Sequence, residues 1–200
     1  MIKIFRDIVY KIKDMKLGTH NSMSYLPVKK WYLAPFKFIA KCQSICLKKQ
    51  YELGARLFDL RVSFDKYNNV EFRHGYMAFK GDVFMTLEYL NSLRDDIYVR
   101  VILENDKPNI TQSSLFRNFC TVIETYYKNI QFFAGNRKCD WKVIYKFKVE
   151  DLIIEQKVSS MQGSRINGIW PWLYAKLHNK KSYKEAKKNR WILMDFIEIR

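Results

Sequence analysis

The sequence predicts an α/β fold in which strands and helices alternate along one chain. Short segments rich in apolar residues, such as 57–64 and 97–103, are typical of strands, and apolar and polar side chains alternate along 57–64. Segments with helical periodicity lie between them, and Asp82 begins one of these with a side chain suited to an N-cap. Such alternation predicts parallel βαβ units. The chain contains neither a Gly-x-Gly-x-x-Gly nor a P-loop motif, so nothing supports a nucleotide-binding fold.

The N-terminal part is predicted to lead into a short strand that ends in a polar turn. Residues 1–13 carry isoleucines at helical spacing among lysines and are predicted to form a basic amphipathic helix. A buried strand is predicted at 15–17 and ends at Gly18. The sequence Thr19-His-Asn-Ser22 follows at the C-terminal end of that strand, which is where α/β barrels place their chemistry. The next predicted elements are a loop over 27–35 and a single helix over 36–53, with Ile39, Cys42, Cys46 and Leu53 facing inward and Gly54 at the C-cap.

The clearest predicted strand covers residues 57–64. Apolar side chains alternate there with polar ones, and a period of two places Asp59 and Arg61 on the same face. A strand with apolar residues outward and an Asp/Arg pair inward suits a barrel whose interior holds a site. A second short strand, 70–73, is predicted to deliver His74 at its end.

The C-terminal half is predicted to continue the same alternation, although residues 130–155 show a weaker pattern. The strand at 97–103 places Arg100, Ile102 and Glu104 on one face. The last strand, 191–199, carries Asp195. The other predicted elements are helices over 82–93 and from Ser113 or Ser114 to 127, strands at 143–147 and 152–154, a loop around Trp170 to Trp172, and a short helix opened by a capping box at Ser182 to Glu185.

Length and charge limit the classes of function. A chain of 200 residues suits one domain with a hydrophobic core, and its net charge is +16. Positive charge favours polyanionic partners, either nucleic acid or an anionic membrane surface, although a lysine-rich surface that binds nothing explains it equally well. Residues 1–13 lack the apolar core and cleavage site of a signal peptide, and no apolar run reaches membrane-spanning length. We expect a cytoplasmic protein, or one secreted by a non-classical route.

These motifs together resemble the X-type catalytic domain of phosphatidylinositol-specific phospholipase C. The turn at 19–22, the segment Gly54-Ala-Arg-Leu-Phe-Asp-Leu-Arg61, Arg73-His-Gly75 and Ile192-Leu-Met-Asp-Phe196 occur in the order of that family. The likeness is best over residues 14–107 and returns at 190–196. It implies a distorted or incomplete TIM-type (β/α) barrel, as a single domain over 1–200. It also implies cleavage of phosphatidylinositol lipids to diacylglycerol and inositol cyclic phosphate.

The resemblance implies a role for each residue of the set. His20 matches the general base, His74 the general acid, and Asp195 the carboxylate that orients the base. Arg61 would neutralise the phosphate oxygens. Asn21 stands where bacterial members generally carry the aspartate that supports the acid. Without that resemblance, each histidine would more often be structural, and Asp59 with Arg61 would more often be a buried ion pair. Lys146 is a candidate contact to substrate.

The resemblance also bears on metal ions. Arg61 occupies a position that is acidic in the calcium-dependent eukaryotic members, and a guanidinium there supplies its own cation. This is the pattern of the metal-independent bacterial branch, so we expect no cofactor. A weakened calcium site formed by Asn21, Asp59 and Glu104 is the alternative. The four cysteines lack the spacing of a zinc site, so we expect free thiols.

Two other functions fit the same scaffold. One is a different phosphodiesterase of the barrel superfamily, such as a glycerophosphodiester hydrolase, although those enzymes generally place acidic metal ligands where Arg61 stands. The other is a non-catalytic module that binds lipids or polyanions. No nucleic-acid-binding motif appears, so specific nucleic-acid binding is not expected. The expected partner is a phosphatidylinositol-type lipid at a membrane surface, bound peripherally by a monomer.

Overall fold

The computed structural model describes residues 16–105, 107–136, 154–158, 169–184 and 191–200, and these form one sheet flanked by helices. The strands are β1 (Lys16–Thr19), β2 (Ala55–Phe64), β3 (Val70–His74), β4 (Met77–Ala78), β5 (Ile97–Leu103), β6 (Ile130–Asn136), β7 (Ile154–Lys157) and β8 (Trp191–Met194). The helices are a 3-10 helix (Trp31–Phe36), α1 (Lys37–Ala40), α2 (Leu47–Glu52), α3 (Val83–Asn91), α4 (Ile110–Tyr126) and α5 (Pro171–Lys184).

Six strands run parallel in the order β6-β5-β2-β1-β8-β7. Strand β3 pairs antiparallel with the end of β2, and β4 pairs with β3. Within the described ranges β6 and β7 are not paired with each other, so the described sheet does not close into a barrel. The predicted α/β class, a distorted or incomplete barrel, is confirmed.

The two faces of β2 belong to two different apolar clusters. Phe58, Leu60 and Val62 are buried in the main cluster, together with side chains of α3 and α4. Leu57 belongs instead to a small cluster on the opposite face with Trp191 and Leu193. On that opposite face, Leu57 is followed at every second residue by Asp59 and then Arg61, as a period of two predicts.

Glycine is needed at position 18, where β1 packs against this small apolar cluster. A Cβ atom at this position would lie 3.1 Å from the side chain of Leu57 and 3.2 Å from that of Leu193. Strand β1 can therefore approach its neighbours this closely only without a side chain at residue 18, and the turn that follows it is held against β8.

The predicted helix over 36–53 is wrong, because the chain leaves helical geometry between α1 and α2. Ser24 Oγ accepts the backbone N–H groups of Cys42, at 2.9 Å, and Gln43, at 3.0 Å. The Gln43 amide in turn donates to the carbonyl oxygens of His20 and Met194. These tertiary hydrogen bonds replace the helical ones over 41–46. Ile39 and Cys46, which were predicted to face inward, are exposed, and Cys42 is fully buried.

Other boundaries also differ from the predictions. The start of α5 at Pro171 replaces a predicted loop, because proline suits the first turn of a helix. Ser182 lies in the last turn of α5 and opens no helix there. Further differences are the 3-10 helix Trp31–Phe36, which overlaps the predicted loop 27–35, the strand β6, the start of α4 at Ile110 behind the N-cap Asn109, β7 at Ile154–Lys157 where a strand was predicted at 152–154, and the end of β8 at Met194.

The predicted helix over 1–13, the predicted strand at 143–147 and Lys146 lie outside the described residues. The strand at Ile97–Leu103 and the N-cap at Asp82, whose side chain accepts from the Met85 N–H, are confirmed. Among the described helices, none is both long and apolar enough to cross a membrane.

Candidate active site

His20 and Asp195 lie at the C-terminal ends of two parallel strands. Thr19 and Met194 are register partners at the ends of β1 and β8, so His20 and Asp195 follow side by side. The His20 N–H donates to the Met194 carbonyl oxygen at 2.9 Å, which ties the two strand ends together. His20 and Asp195 are 175 residues apart in the sequence. They are adjacent in the fold because two parallel strands end at the same level.

His20 and Asp195 form a short, fully buried hydrogen bond. His20 Nδ1 lies 2.6 Å from Asp195 Oδ1, and the two residues are 1% and 0% exposed. Because a carboxylate accepts, Nδ1 carries the proton in this pair, and in the neutral form of the ring Nε2 presents a lone pair. The Nε2 atom finds no hydrogen-bond partner among the described residues. It is therefore available to accept a proton from a bound group.

Arg61 bridges two buried carboxylates next to these residues. Its Nε donates to Asp59 Oδ2 at 3.0 Å, and its Nη1 donates to Glu104 Oε2 at 3.1 Å. Arg100 Nη1 approaches the other oxygen of Asp59 at 3.6 Å. Burial alone would raise the pKa of Asp59, but the positive charges of Arg61 and Arg100 outweigh it and hold that pKa well below its usual range. Asp59 is therefore ionised, and Arg61 keeps a fixed position at the site.

His74 lies opposite His20. The ring centroids are 5.9 Å apart with the planes nearly perpendicular, and His74 Nδ1 donates to the Ala40 carbonyl oxygen at 2.9 Å. Burial, followed by the nearby positive charge of Arg61, lowers the pKa of His74 to about 4. In the ligand-free site His74 is therefore neutral at pH 7, with Nδ1 held and Nε2 left for another group.

Asn21 contributes mainly through its backbone. It adopts a left-handed conformation with φ of 43°, which asparagine tolerates better than most residues, and its N–H donates to Asp59 Oδ2 at 3.0 Å. Its buried Nδ2 atom has no hydrogen-bond partner in the described part of the chain. The group that holds His74 is the Ala40 carbonyl, and among the described residues Asn21 forms no hydrogen bond with that ring.

Comparison with known proteins identifies the fold. No family model matches the sequence, and no curated protein matches it. Among solved structures, phosphatidylinositol-specific phospholipase C from Listeria monocytogenes aligns with a TM-score of 0.60 at 16% identity, covering 94% of each chain. The Staphylococcus aureus enzyme, in a histidine-to-tyrosine variant, aligns with a TM-score of 0.61 at 15% identity, covering 92% of this chain and 85% of its own. The chain has the fold of bacterial phosphatidylinositol-specific phospholipase C.

Within this phospholipase C fold, the segment at 40–43 supplies three groups that the sequence did not indicate. The Ala40 carbonyl holds His74, the Gln43 amide holds the His20 carbonyl, and the buried Cys42 Sγ lies 3.9 Å from His74 Nδ1. Burial, with the Asp195 carboxylate nearby, raises the pKa of Cys42 far above its usual value, so the thiol stays protonated. Ala40 is a small apolar residue inside a predicted helix, so nothing in the sequence indicates that its carbonyl oxygen accepts from His74.

Two groups of donor atoms at the site bear on metal binding. Among the described residues, one atom each of His20, Cys42 and Asp195 lie within 4.8 Å of one another. The 2.6 Å contact of His20 with Asp195 is the length of a hydrogen bond, and the thiol is protonated, so this group fits a proton network better than a metal. In the predicted alternative calcium site, the Arg61 guanidinium contacts both Asp59 and Glu104, where a cation would have to bind.

Proposed function

We propose that this protein is a metal-independent phosphodiesterase that cleaves phosphatidylinositol-type lipids to diacylglycerol and inositol cyclic phosphate. The observation that carries the proposal is the arrangement of His20 and His74. Their rings lie 5.9 Å apart, with a buried carboxylate behind His20. The fold shared with the Listeria and Staphylococcus enzymes supports the same reaction class.

In the proposed reaction, His20 and His74 act on opposite sides of the phosphorus. His20 Nε2 takes the proton of the inositol 2-hydroxyl, whose oxygen then attacks phosphorus, and Asp195 stabilises the imidazolium that forms. The bond from phosphorus to the glycerol oxygen breaks, and His74 gives its proton to that leaving oxygen. Because His74 is neutral in the ligand-free site, it must gain that proton on binding, and the negative phosphodiester favours this by raising its pKa.

Arg61 would supply the positive charge that stabilises the phosphoryl oxygens. Its guanidinium is held by Asp59 and Glu104 and is therefore oriented before substrate binds. A charge already in place needs no reorganisation during the reaction. We propose for this reason that no calcium is required, and that Arg61 occupies the position a calcium ion would need.

We propose that an aromatic patch beside the site contacts the membrane. Phe38, Lys41, Trp170, Trp172 and Phe196 line a surface hollow of about 380 Å³, and the two tryptophans and Phe38 are more than a third exposed. Lys41 follows the residue that holds His74, and Phe196 follows Asp195, so the hollow lies next to the site. Aromatic rings with a nearby lysine suit a lipid interface. One of the aligned Staphylococcus structures concerns the modulation of that enzyme's membrane binding.

The test is cleavage of phosphatidylinositol with excess chelator, using wild type, His20→Ala, His74→Ala and His178→Ala. His178, which packs on Tyr174 at 4.6 Å, is the matched control among the three histidines. We expect wild type and His178→Ala to cleave the lipid in chelator, and His20→Ala to lose essentially all turnover. Unchanged cleavage by His20→Ala would refute the base, and loss of wild-type activity in chelator would refute metal independence.

A further inference from the structure

Gln43 is a fully buried polar residue that joins the two strand ends carrying His20 and Asp195. Its Nε2 donates to the His20 carbonyl oxygen at 3.1 Å and to the Met194 carbonyl oxygen at 2.9 Å. Its Oε1 accepts from the Ile197 N–H at 3.2 Å. Both polar atoms of one side-chain amide therefore hold the backbone at, or within two residues of, the base and its carboxylate.

The two residues of this pair need support that the sheet does not give them. Strands β1 and β8 end one residue before His20 and Asp195, so both residues lie beyond the regular strand pairing. Phe196, directly after Asp195, adopts a left-handed conformation with φ of 46°, which is unfavourable for a residue other than glycine. Its N–H donates to the Cys42 carbonyl oxygen at 2.6 Å, so the segment that contains Gln43 also holds this bend.

The same segment, residues 40–43, holds the second histidine. The Ala40 carbonyl oxygen accepts from His74 Nδ1 at 2.9 Å. In the described sheet, the strand of His74, β3, pairs with β2 and β4 and not with β1 or β8, so strand pairing does not join the two histidines directly. Ser24 Oγ accepts two backbone N–H groups of the segment, at 2.9 and 3.0 Å, and thereby anchors it.

We propose that Gln43 is a positioning residue, which holds His20 against Asp195 and fixes the distance from this pair to His74. The inference rests on the proposed function for the roles of the two histidines. The side chain of Gln43 acts through other residues, because its hydrogen bonds all go to main-chain groups. Displacing a reacting group by about 1 Å can slow a reaction by about a hundredfold, so small shifts of these backbone groups should affect catalysis.

Gln50 is the matched control for a purely structural role. It is also 0% exposed, and its Nε2 also donates to two carbonyl oxygens, those of Ser22 at 2.8 Å and Ile45 at 2.9 Å. Within the described chain, its side-chain hydrogen bonds reach neither His20 nor residues 194–197. If buried glutamines only stabilise the fold, replacing either one by methionine, which is similar in size, should have the same effect on activity.

The experiment combines proton NMR of the substrate-free protein with cleavage kinetics and urea unfolding. The proton in the 2.6 Å bond between His20 and Asp195 should resonate far downfield of the backbone amides, and its absence from Asp195→Asn identifies the signal. We expect Gln43→Met to shift this signal upfield and to lower kcat about tenfold or more, with KM changed less than about twofold. Gln50→Met should keep the signal and kcat, even where urea unfolding shows a similar loss of stability.

An unchanged signal or an unchanged kcat in Gln43→Met would overturn the proposal, and so would equal losses of kcat in Gln50→Met. Ser24→Ala decides the question if Gln43→Met does not fold, because it removes one oxygen atom and releases the same segment. It should also shift the signal and lower kcat, and no change in either would overturn the proposal. Because the signal needs no substrate, a wild type that shows it but cleaves no lipid would refute the proposed function, whereas the placement of His20 by Gln43 is decided by the signal.

Discussion

Replacing Arg61 by methionine should expose the electrostatic basis of the site. The guanidinium, 11% exposed, is the link between the Asp59 and Glu104 side chains, which are 0% and 1% exposed. Removing one partner of a buried ion pair typically costs 3–5 kcal/mol, because the other charge stays buried. Asp59 keeps the Arg100 contact and the Asn21 N–H, and Glu104 keeps the Gly75 N–H. We therefore expect the lower end, a loss of about 3 kcal/mol in the free energy of unfolding near neutral pH.

The pH dependence of that loss distinguishes charge from packing. Without Arg61 the two carboxyl groups gain raised pKa values in the folded state, so the folded protein takes up protons as the pH falls. The loss should then shrink, for each carboxyl group, by about 1.4 kcal/mol for every pH unit by which its raised pKa exceeds the pH. Urea unfolding followed by tryptophan fluorescence at about pH 7 and about pH 5 measures both values, with Arg117→Gln as the control. An equal loss at both pH values would refute the reasoning.

Three further predictions follow from the geometry. Because burial lowers the pKa of His74 to about 4 from its ordinary 6.5, the unfolded chain binds the proton that the folded chain excludes between these values. Stability should therefore fall as the pH drops from about 6.5 to about 4, and His74→Gln should remove that part of the slope in urea midpoints. Asp195→Asn should lower kcat by about a hundredfold or more and leave lipid binding intact, since the His20 tautomer is no longer enforced; an unchanged kcat would show that the 2.6 Å bond is only structural. Trp170→Ala with Trp172→Ala should reduce partitioning onto phosphatidylcholine vesicles several-fold without changing cleavage of a short-chain soluble lipid, and equal effects on both would contradict a membrane role.

Local sequence pattern was sufficient for the strands that build the site. Alternation along 57–64 correctly placed Asp59 and Arg61 on one face, and the mostly apolar segment Ile97–Leu103 correctly marked β5. The helix predicted over 36–53 was wrong for a physical reason. The backbone N–H groups of Cys42 and Gln43 donate to Ser24 Oγ, and the Gln43 side-chain amide donates to the end of β8, far away in the chain. A single sequence does not reveal such long-range competitors for backbone hydrogen bonds.

The order of motifs along the chain was enough to choose the fold, because period two, strand ends and turn residues are local properties that the residues themselves impose. Only the tertiary structure decided what those residues contact. It brought His20 against Asp195, placed Arg61 between two carboxylates and gave His74 the Ala40 carbonyl as its partner. It also set the low pKa of His74, since burial and neighbouring charge arise only when separate strands meet.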